Sequence, residues 1–249
     1  SGRCAESRCV PDPAVGGVLQ LRGVRDELQL RIEREFSAAR IEAAEQRGDS
    51  KAATVWLDKI DDPQRALEVQ TRRATLLAKQ GKLKEARALV QQVPERKPED
   101  ARAKLIAESQ VLREVKRWPD AHAVLVSAND RFPSDIDLLY EQAMMAEKIS
   151  RMDEMERVLR RVIELKPDHH HAYNALGYSL AERNQRLPEA RDLIAKAVEL
   201  APNDPFIADS LGWVEFRLGN NTQALLHLKR AYASRPDTEI AAHLGEVLW

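Results

Sequence analysis

Asn174-Ala175-Leu176-Gly177-Tyr178, followed by Ala190, Ala197 and Pro202, returns as Ser210-Leu211-Gly212-Trp213, then Ala224, Ala231 and Pro236. The two closing prolines stand 34 residues apart. A block of that length, with small residues at fixed places, cannot bury an apolar face alone and does so by stacking on its neighbours. The pattern therefore predicts an array of helix pairs rather than a domain with one central core.

Working outward, prolines fall in register at 98, 133, 167, 202 and 236, with spacings of 35, 34, 35 and 34. Each is read as closing a unit. Residues 67–101, 102–135, 136–169, 170–204 and 205–237 then form five helix pairs. Residues 24–66 read as a degenerate pair, with Val24, Leu28, Ile32, Phe36 and Ile41 at helical spacing. Residues 1–23 read as an irregular lead-in. The pattern restarts over 238–249 with His243-Leu244-Gly245 and ends on Val247-Leu248-Trp249, read as a half-repeat or capping helix; the apolar ending favours a natural chain that continues.

Local signals agree with this division. Pro119 and Pro188 precede an acidic residue and an alanine, and each marks the first turn of a second helix, where a missing N–H costs no intrahelical bond. Gly48, Gly81 and Gly219 fall between paired helices. Gly177, Gly212 and Gly245 instead fall mid-helix, where glycine costs about 1 kcal/mol relative to alanine; close approach of two helix backbones is the compensation expected. Ala74, Ser109 and Ala143 hold the equivalent place in other units.

Composition narrows the function. Charged residues make up 32% and the formal net charge is −1, with both signs interspersed. That argues against a nucleic-acid surface, which needs unopposed Lys and Arg. No apolar run reaches the ~20 residues of a membrane-spanning helix. Cys4 and Cys9 stand in a Pro/Gly-rich stretch without nearby His, and read as an incidental tail, a local disulfide or a site shared with another chain. His169-His170-His171 is read as a polar start to a helix, with Asp168 as its cap, because adjacent helix positions point about 100° apart and cannot share a metal. His122, His227 and His243 read as surface or packing residues. With no phosphate loop, nucleophile elbow or HExxH, no catalytic residue, cofactor or metal is expected.

The residues Leu176-Gly177-Tyr178, Ala190, Ala197, Pro202 and Leu211-Gly212, Gly219, Ala224, Leu228, Ala231, Pro236 resemble the signature of the tetratricopeptide repeat (TPR) family. The resemblance covers roughly residues 34–249. It departs from the pattern in lacking the large aromatic early in most first helices, and in one extra residue around Asn184–Leu187. It implies an all-α, right-handed solenoid of antiparallel helix pairs whose first helices line a concave groove. Groove positions by this analogy are Thr71 and Thr75, Ile106 and Gln110, Tyr140 and Met144, Asn174 and Tyr178, and Asp209 and Trp213, then Ala78, Arg113, Glu147, Ala181 and Phe216 one turn on.

TPR co-chaperones hold a C-terminal carboxylate with a Lys/Asn/Arg clamp, which this set lacks. Tyr140, Met144, Asn174, Tyr178, Phe206, Asp209, Trp213 and Phe216 are instead the expected partner-binding residues, since aromatics on a concave surface anchor binding. The implied role is a non-catalytic scaffold or adaptor for a protein or peptide segment. The alternative is the regulatory or assembly part of a longer polypeptide. Self-association through the C-terminal half-repeat is a further possibility the sequence raises. Leu-Gly-Tyr and Leu-Gly-Trp units with Arg-rich usage resemble bacterial multi-repeat TPR proteins, many of them envelope assembly factors or protease adaptors. The compartment stays unknown, with a lean to the bacterial cell envelope or periplasm.

Overall fold

The computed structural model describes residues 37–249. The readings of residues 1–23, of Cys4 and Cys9, and of the helix start at Val24 lie outside the described residues. The backbone is helical over 37–46 (α1). It continues as α2 (Ser50–Leu57), α3 (Ala66–Lys79), α4 (Leu83–Gln91), α5 (Pro98–Glu114), α6 (Trp118–Arg131) and α7 (Ile136–Lys148). Then follow α8 (Met152–Leu165), α9 (His170–Glu182), α10 (Leu187–Leu200), α11 (Pro205–Arg217), α12 (Asn221–Ser234) and α13 (Thr238–Leu248). No strand occurs among the described residues.

The helices stack as a right-handed solenoid. From α3 onward each odd-numbered helix packs on the even one after it, and each even helix packs on the next odd one. Odd helices also meet side by side, as α3 with α5, α9 with α11 and α11 with α13. The core is accordingly several clusters strung along the chain. Ile41, Ala53 and Leu57 anchor one, Ala74, Ala86 and Val111 the next, Leu112, Leu125 and Leu138 a third, and Leu159, Leu176, Ile194 and Val214 the largest.

Turn chemistry sets the hairpins. Gly81 and Gly219 have φ of 81° and 84° between paired helices, a conformation that costs a side-chain-bearing residue about 1 kcal/mol. Lys116, Ser150 and Asn184 accept that cost at the same place. The extra residue near Asn184 is absorbed by a second left-handed residue, Arg186 at φ 45°, whose guanidinium bonds Glu156 and Glu189. Asp135, Asp204 and Asp237 cap α7, α11 and α13 by accepting backbone N–H bonds.

Three local expectations change. Pro98 does not close a unit; it is the first residue of α5, where proline's fixed φ suits the helix start. The cap of α9 is His169, not Asp168: its Nδ1 accepts from the Ala172 N–H at 3.1 Å, while Asp168 is exposed. And close packing explains two mid-helix glycines but not the third. A Cβ on Gly177 would lie 2.6 Å from Ile194 Cγ1 and 2.8 Å from the Ala190 carbonyl oxygen; on Gly212 it would lie 2.6 Å from Leu228 Cγ. At Gly245 it would meet nothing within 4 Å, because no helix among the described residues covers that side of α13.

Between units run ion pairs. Arg102 bonds Asp135 and Asp137, Arg113 bonds Glu141, and Arg160 bonds Glu189 at 2.5 Å. The Glu215 carboxylate is almost fully buried, 2.5 Å from Arg191 and 2.7 Å from Asn220 Nδ2. Burial raises its pKa, but these two donors outweigh that and the net shift is downward.

Candidate functional site

The odd-numbered helices carry the expected groove positions, and the character of these positions changes along the array. At the N-terminal end Thr71 and Thr75 of α3, Gln110 and Arg113 of α5 and Glu141 of α7 line an open cavity of about 650 Å³, with Glu45 and Arg72 at its edge. Both threonine hydroxyls are spent on their own helix, donating to the Leu67 and Thr71 carbonyls at 2.6 and 3.0 Å. Arg72 pairs with Glu45 at 3.0 Å. This end is polar and of mixed charge. Ile106 is half-buried, and Ala78 is buried.

Toward the C-terminus the face becomes aromatic. Tyr140, Met144, Tyr178 and Phe216 are half-buried against one core cluster. The Tyr140 ring tilts over His169, centroids 5.1 Å apart, and lies 6.4 Å from His171. Burial, then Glu141 and Glu147, raises the Tyr140 phenol's pKa. Burial lowers those of His169 and His171. The His169–His171 run thus serves a helix cap and a ring cluster, and among the described residues no group of three or more His, Cys, Asp or Glu is arranged to hold a metal. Glu147 is half-buried and Ala181 fully buried.

Four expected residues converge around a fifth, which the sequence reading assigns to surface or packing. His243 of α13 donates from Nδ1 to Asp209 Oδ2 at 2.8 Å. Its ring stacks on Trp213 with centroids 4.4 Å apart and planes 20° from parallel. The Tyr178 hydroxyl lies 3.4 Å from His243 Nε2 and 3.4 Å from Glu239 Oε1. Phe216 leans on Trp213 at 5.4 Å, and the Arg217 guanidinium sits 5.7 Å from the indole centroid. The signal was present: Asp209 and His243 are 34 residues apart, one repeat length.

Burial sorts these residues. Trp213 and Asp209 are each 4% exposed, so neither offers a surface to a partner. Asp209 Oδ1, Trp213 Nε1 and Asn174 Oδ1 are buried and receive or give no hydrogen bond. Phe206 stands apart from the cluster: it is 39% exposed on the first turn of α11, with Arg235 5.0 Å from its ring. Burial, then Glu182, Glu239 and Asp209, pushes the Tyr178 phenol well above its ordinary pKa. Burial pulls the His243 imidazole down, but the Asp209 bond and the charges of Asp209, Glu239 and Glu182 outweigh it and the net shift is upward.

The fold defines a class: an all-α helical-repeat solenoid. Tetratricopeptide repeat profiles match residues 136–169 and 155–205, and the chain belongs to the tetratricopeptide repeat family. It is 37% identical over 203 residues to the TPR repeat-containing protein PA4667 of Pseudomonas aeruginosa, a match spanning 82% of this chain and 34% of that relative. Among solved structures it resembles a tetratricopeptide repeat protein from Parabacteroides merdae (TM-score 0.60, 14% identity, 74% of this chain and 72% of that one). It also resembles YrrB, described as a TPR protein with an unusual peptide-binding site (TM-score 0.54, 21% identity, 75% and 98%), and MamA from Desulfovibrio magneticus (TM-score 0.55, 18% identity, 70% and 97%). At these identities the structural likeness establishes the fold. None of the described helices is long and apolar enough to cross a membrane.

Proposed function

We propose that the odd-helix face binds a segment of a partner protein, and that the chain works as a non-catalytic adaptor. The observation that carries this is the run of Tyr140, Met144 and Tyr178, three large side chains left half-buried on α7 and α9. Large apolar and aromatic groups that a fold could cover but does not are the usual anchors of recognition. Beside them the cavity over Gln110 and Arg113 supplies a polar surround. A segment lying along the row would bury its apolar side chains over Met144 and Tyr140 and its polar ones over α3 and α5.

The test is site-specific photocrosslinking in the native organism. A photoreactive phenylalanine at the exposed Gln110 of α5, or at Met144, is expected to trap a partner. The same probe at Ser127, exposed on α6, is expected to trap none. Crosslinks only from Ser127 would move binding to the even-helix face.

A second reading has its own support. The chain spans 34% of the length of the relative it matches, which favours the same face acting as the assembly or regulatory part of a longer polypeptide. For either reading we infer a bacterial setting, with envelope assembly or proteolysis as the processes served. Fractionating cells that carry the tagged full reading frame separates envelope from cytoplasm.

A further inference from the structure

We propose that His243 is a pH-dependent latch: protonated, it closes α13 over the aromatic end of the groove, and losing that proton loosens α13 from Tyr178 and Trp213. The consequence for binding rests on the groove reading; the latch itself does not.

The argument starts from hydrogen-bond bookkeeping. The Tyr178 hydroxyl has one proton and two partners, Glu239 Oε1 and His243 Nε2, each at 3.4 Å. It cannot donate to both. An imidazolium resolves this, because Nε2–H then donates to the phenol oxygen and the phenol donates to Glu239. On the other side of the ring, Nδ1–H donates to the Asp209 carboxylate. The doubly protonated ring gives all three groups a partner within the cluster, of which Asp209 is buried and Glu239 is exposed to solvent.

Charge points the same way. The Asp209 side chain is 6% exposed and that of His243 10%, so a carboxylate there without a cation is costly. The groups that bear on the ring are Tyr178 and Glu182 from α9, Asp209 from α11 and Glu239 from α13 itself. Arg217 of α11 approaches the indole beneath the ring. The helix α12, which also packs on α13, brings none of these charges to the ring. Three carboxylates therefore surround one imidazole.

Why the effect would be felt at α13 follows from packing. Its Ile240 and His243 are buried, whereas Ala241, Gly245 and Leu248 on the outer side are exposed. Among the described residues α13 packs on α12 and α11, and the contact to Asp209 adds a charge-dependent part to what holds it.

The sign follows from linkage. A histidine whose pKa is higher in the closed state than in the open one favours closure below its ordinary value near 6.5, and that contribution is lost as pH rises through the closed-state pKa. Each unit of difference is a tenfold change in the closing equilibrium.

Two measurements on the whole 249-residue chain test this. Ring NMR is expected to place the His243 midpoint above the ordinary histidine value. Hydrogen exchange by mass spectrometry, with exposure times scaled for intrinsic rates, is expected to show segment 239–247 losing protection across that midpoint, by up to about tenfold per unit of upward shift. His243→Gln keeps a hydrogen-bonding side chain but cannot titrate, and its protection in this segment is expected to be flat with pH. Circular dichroism establishes that the variant is folded; if it is not, the wild-type titration and exchange decide alone. A midpoint at or below the ordinary value, flat wild-type protection, or a step that persists in folded His243→Gln overturns the proposal. Neither measurement involves a partner, so a failed crosslink from Gln110 and a failed latch are separate results.

Discussion

Asp209 Oδ2 and His243 Nδ1, one repeat apart in sequence, meet at 2.8 Å where the imidazole stacks on the Trp213 ring. Asp209→Asn keeps the shape and removes the charge. Burial then acts on the imidazole with only the charges of Glu182 and Glu239 against it, and the His243 midpoint is expected to fall. Ring NMR of the variant against wild type reads this directly; an unchanged midpoint would mean the pair carries no charge.

The mid-helix glycines separate into two kinds by substitution. Gly177→Ala gains about 1 kcal/mol of helix propensity but drives a methyl to 2.8 Å from the Ala190 carbonyl, which is backbone and cannot yield cheaply. Its net effect is expected to be a loss of about 1–3 kcal/mol, the usual range for overpacking. Gly245→Ala meets open space, so only the propensity gain remains and α13 is expected to be stabilised by up to about 1 kcal/mol. Urea denaturation measures the first, and hydrogen exchange in α13 the second. Equal effects at the two sites would refute the packing account.

His169 caps α9 with a neutral ring nitrogen, where α7, α11 and α13 use aspartate. The cap needs Nδ1 unprotonated. Burial already holds this imidazole below its ordinary pKa, so its contribution is present near neutrality and is lost as pH falls through the folded-state value. His169→Asp is expected to raise stability at pH 7 by about 0.5–1 kcal/mol, through a stronger acceptor and a charge that suits the helix start. It is also expected to shift the loss to lower pH. Thermal melts between pH 4 and 7 decide it.

Arg191 is half-exposed, yet its partner Glu215 is buried. Arg191→Met keeps the stem and deletes the charge, leaving Asn220 as the carboxylate's remaining donor. A loss of about 1–2 kcal/mol is expected at pH 7, discounted for the arginine's solvent exposure. Because the Glu215 pKa lies below the usual range, the wild-type advantage is present above that range and disappears as pH falls through it. A variant equally destabilised at pH 3 and pH 7 would contradict this.

The repeat was legible because its signals are local and recur. Pro202 and Pro236, and Ala190 and Ala224, recur 34 residues apart and Gly177 and Gly212 35 apart, and that recurrence reads as a stack. What stayed hidden depends on geometry between units. Asp168 and His169 are both plausible caps in sequence, and only the backbone at the start of α9 decides between them. Gly245 looks like Gly212 until the opposing helix is sought. The candidate site was legible in part: Tyr178, Asp209, Trp213 and Phe216 were singled out, but the one-repeat spacing of Asp209 and His243 does not by itself say that their side chains meet. Phe206 looks equivalent to them in composition and lies away from them in space.

Stacks of this kind usually melt like a zipper, each tooth feeling only the next. Tyr178 breaks that rule, since its hydroxyl reaches from α9 past α11 to Glu239 and His243 on α13. A bond that skips a tooth ties three rows together, so fraying of the last one is resisted by the third from the end. The α9–α13 segment should then melt as one cooperative block, and Tyr178→Phe should let it come apart in steps.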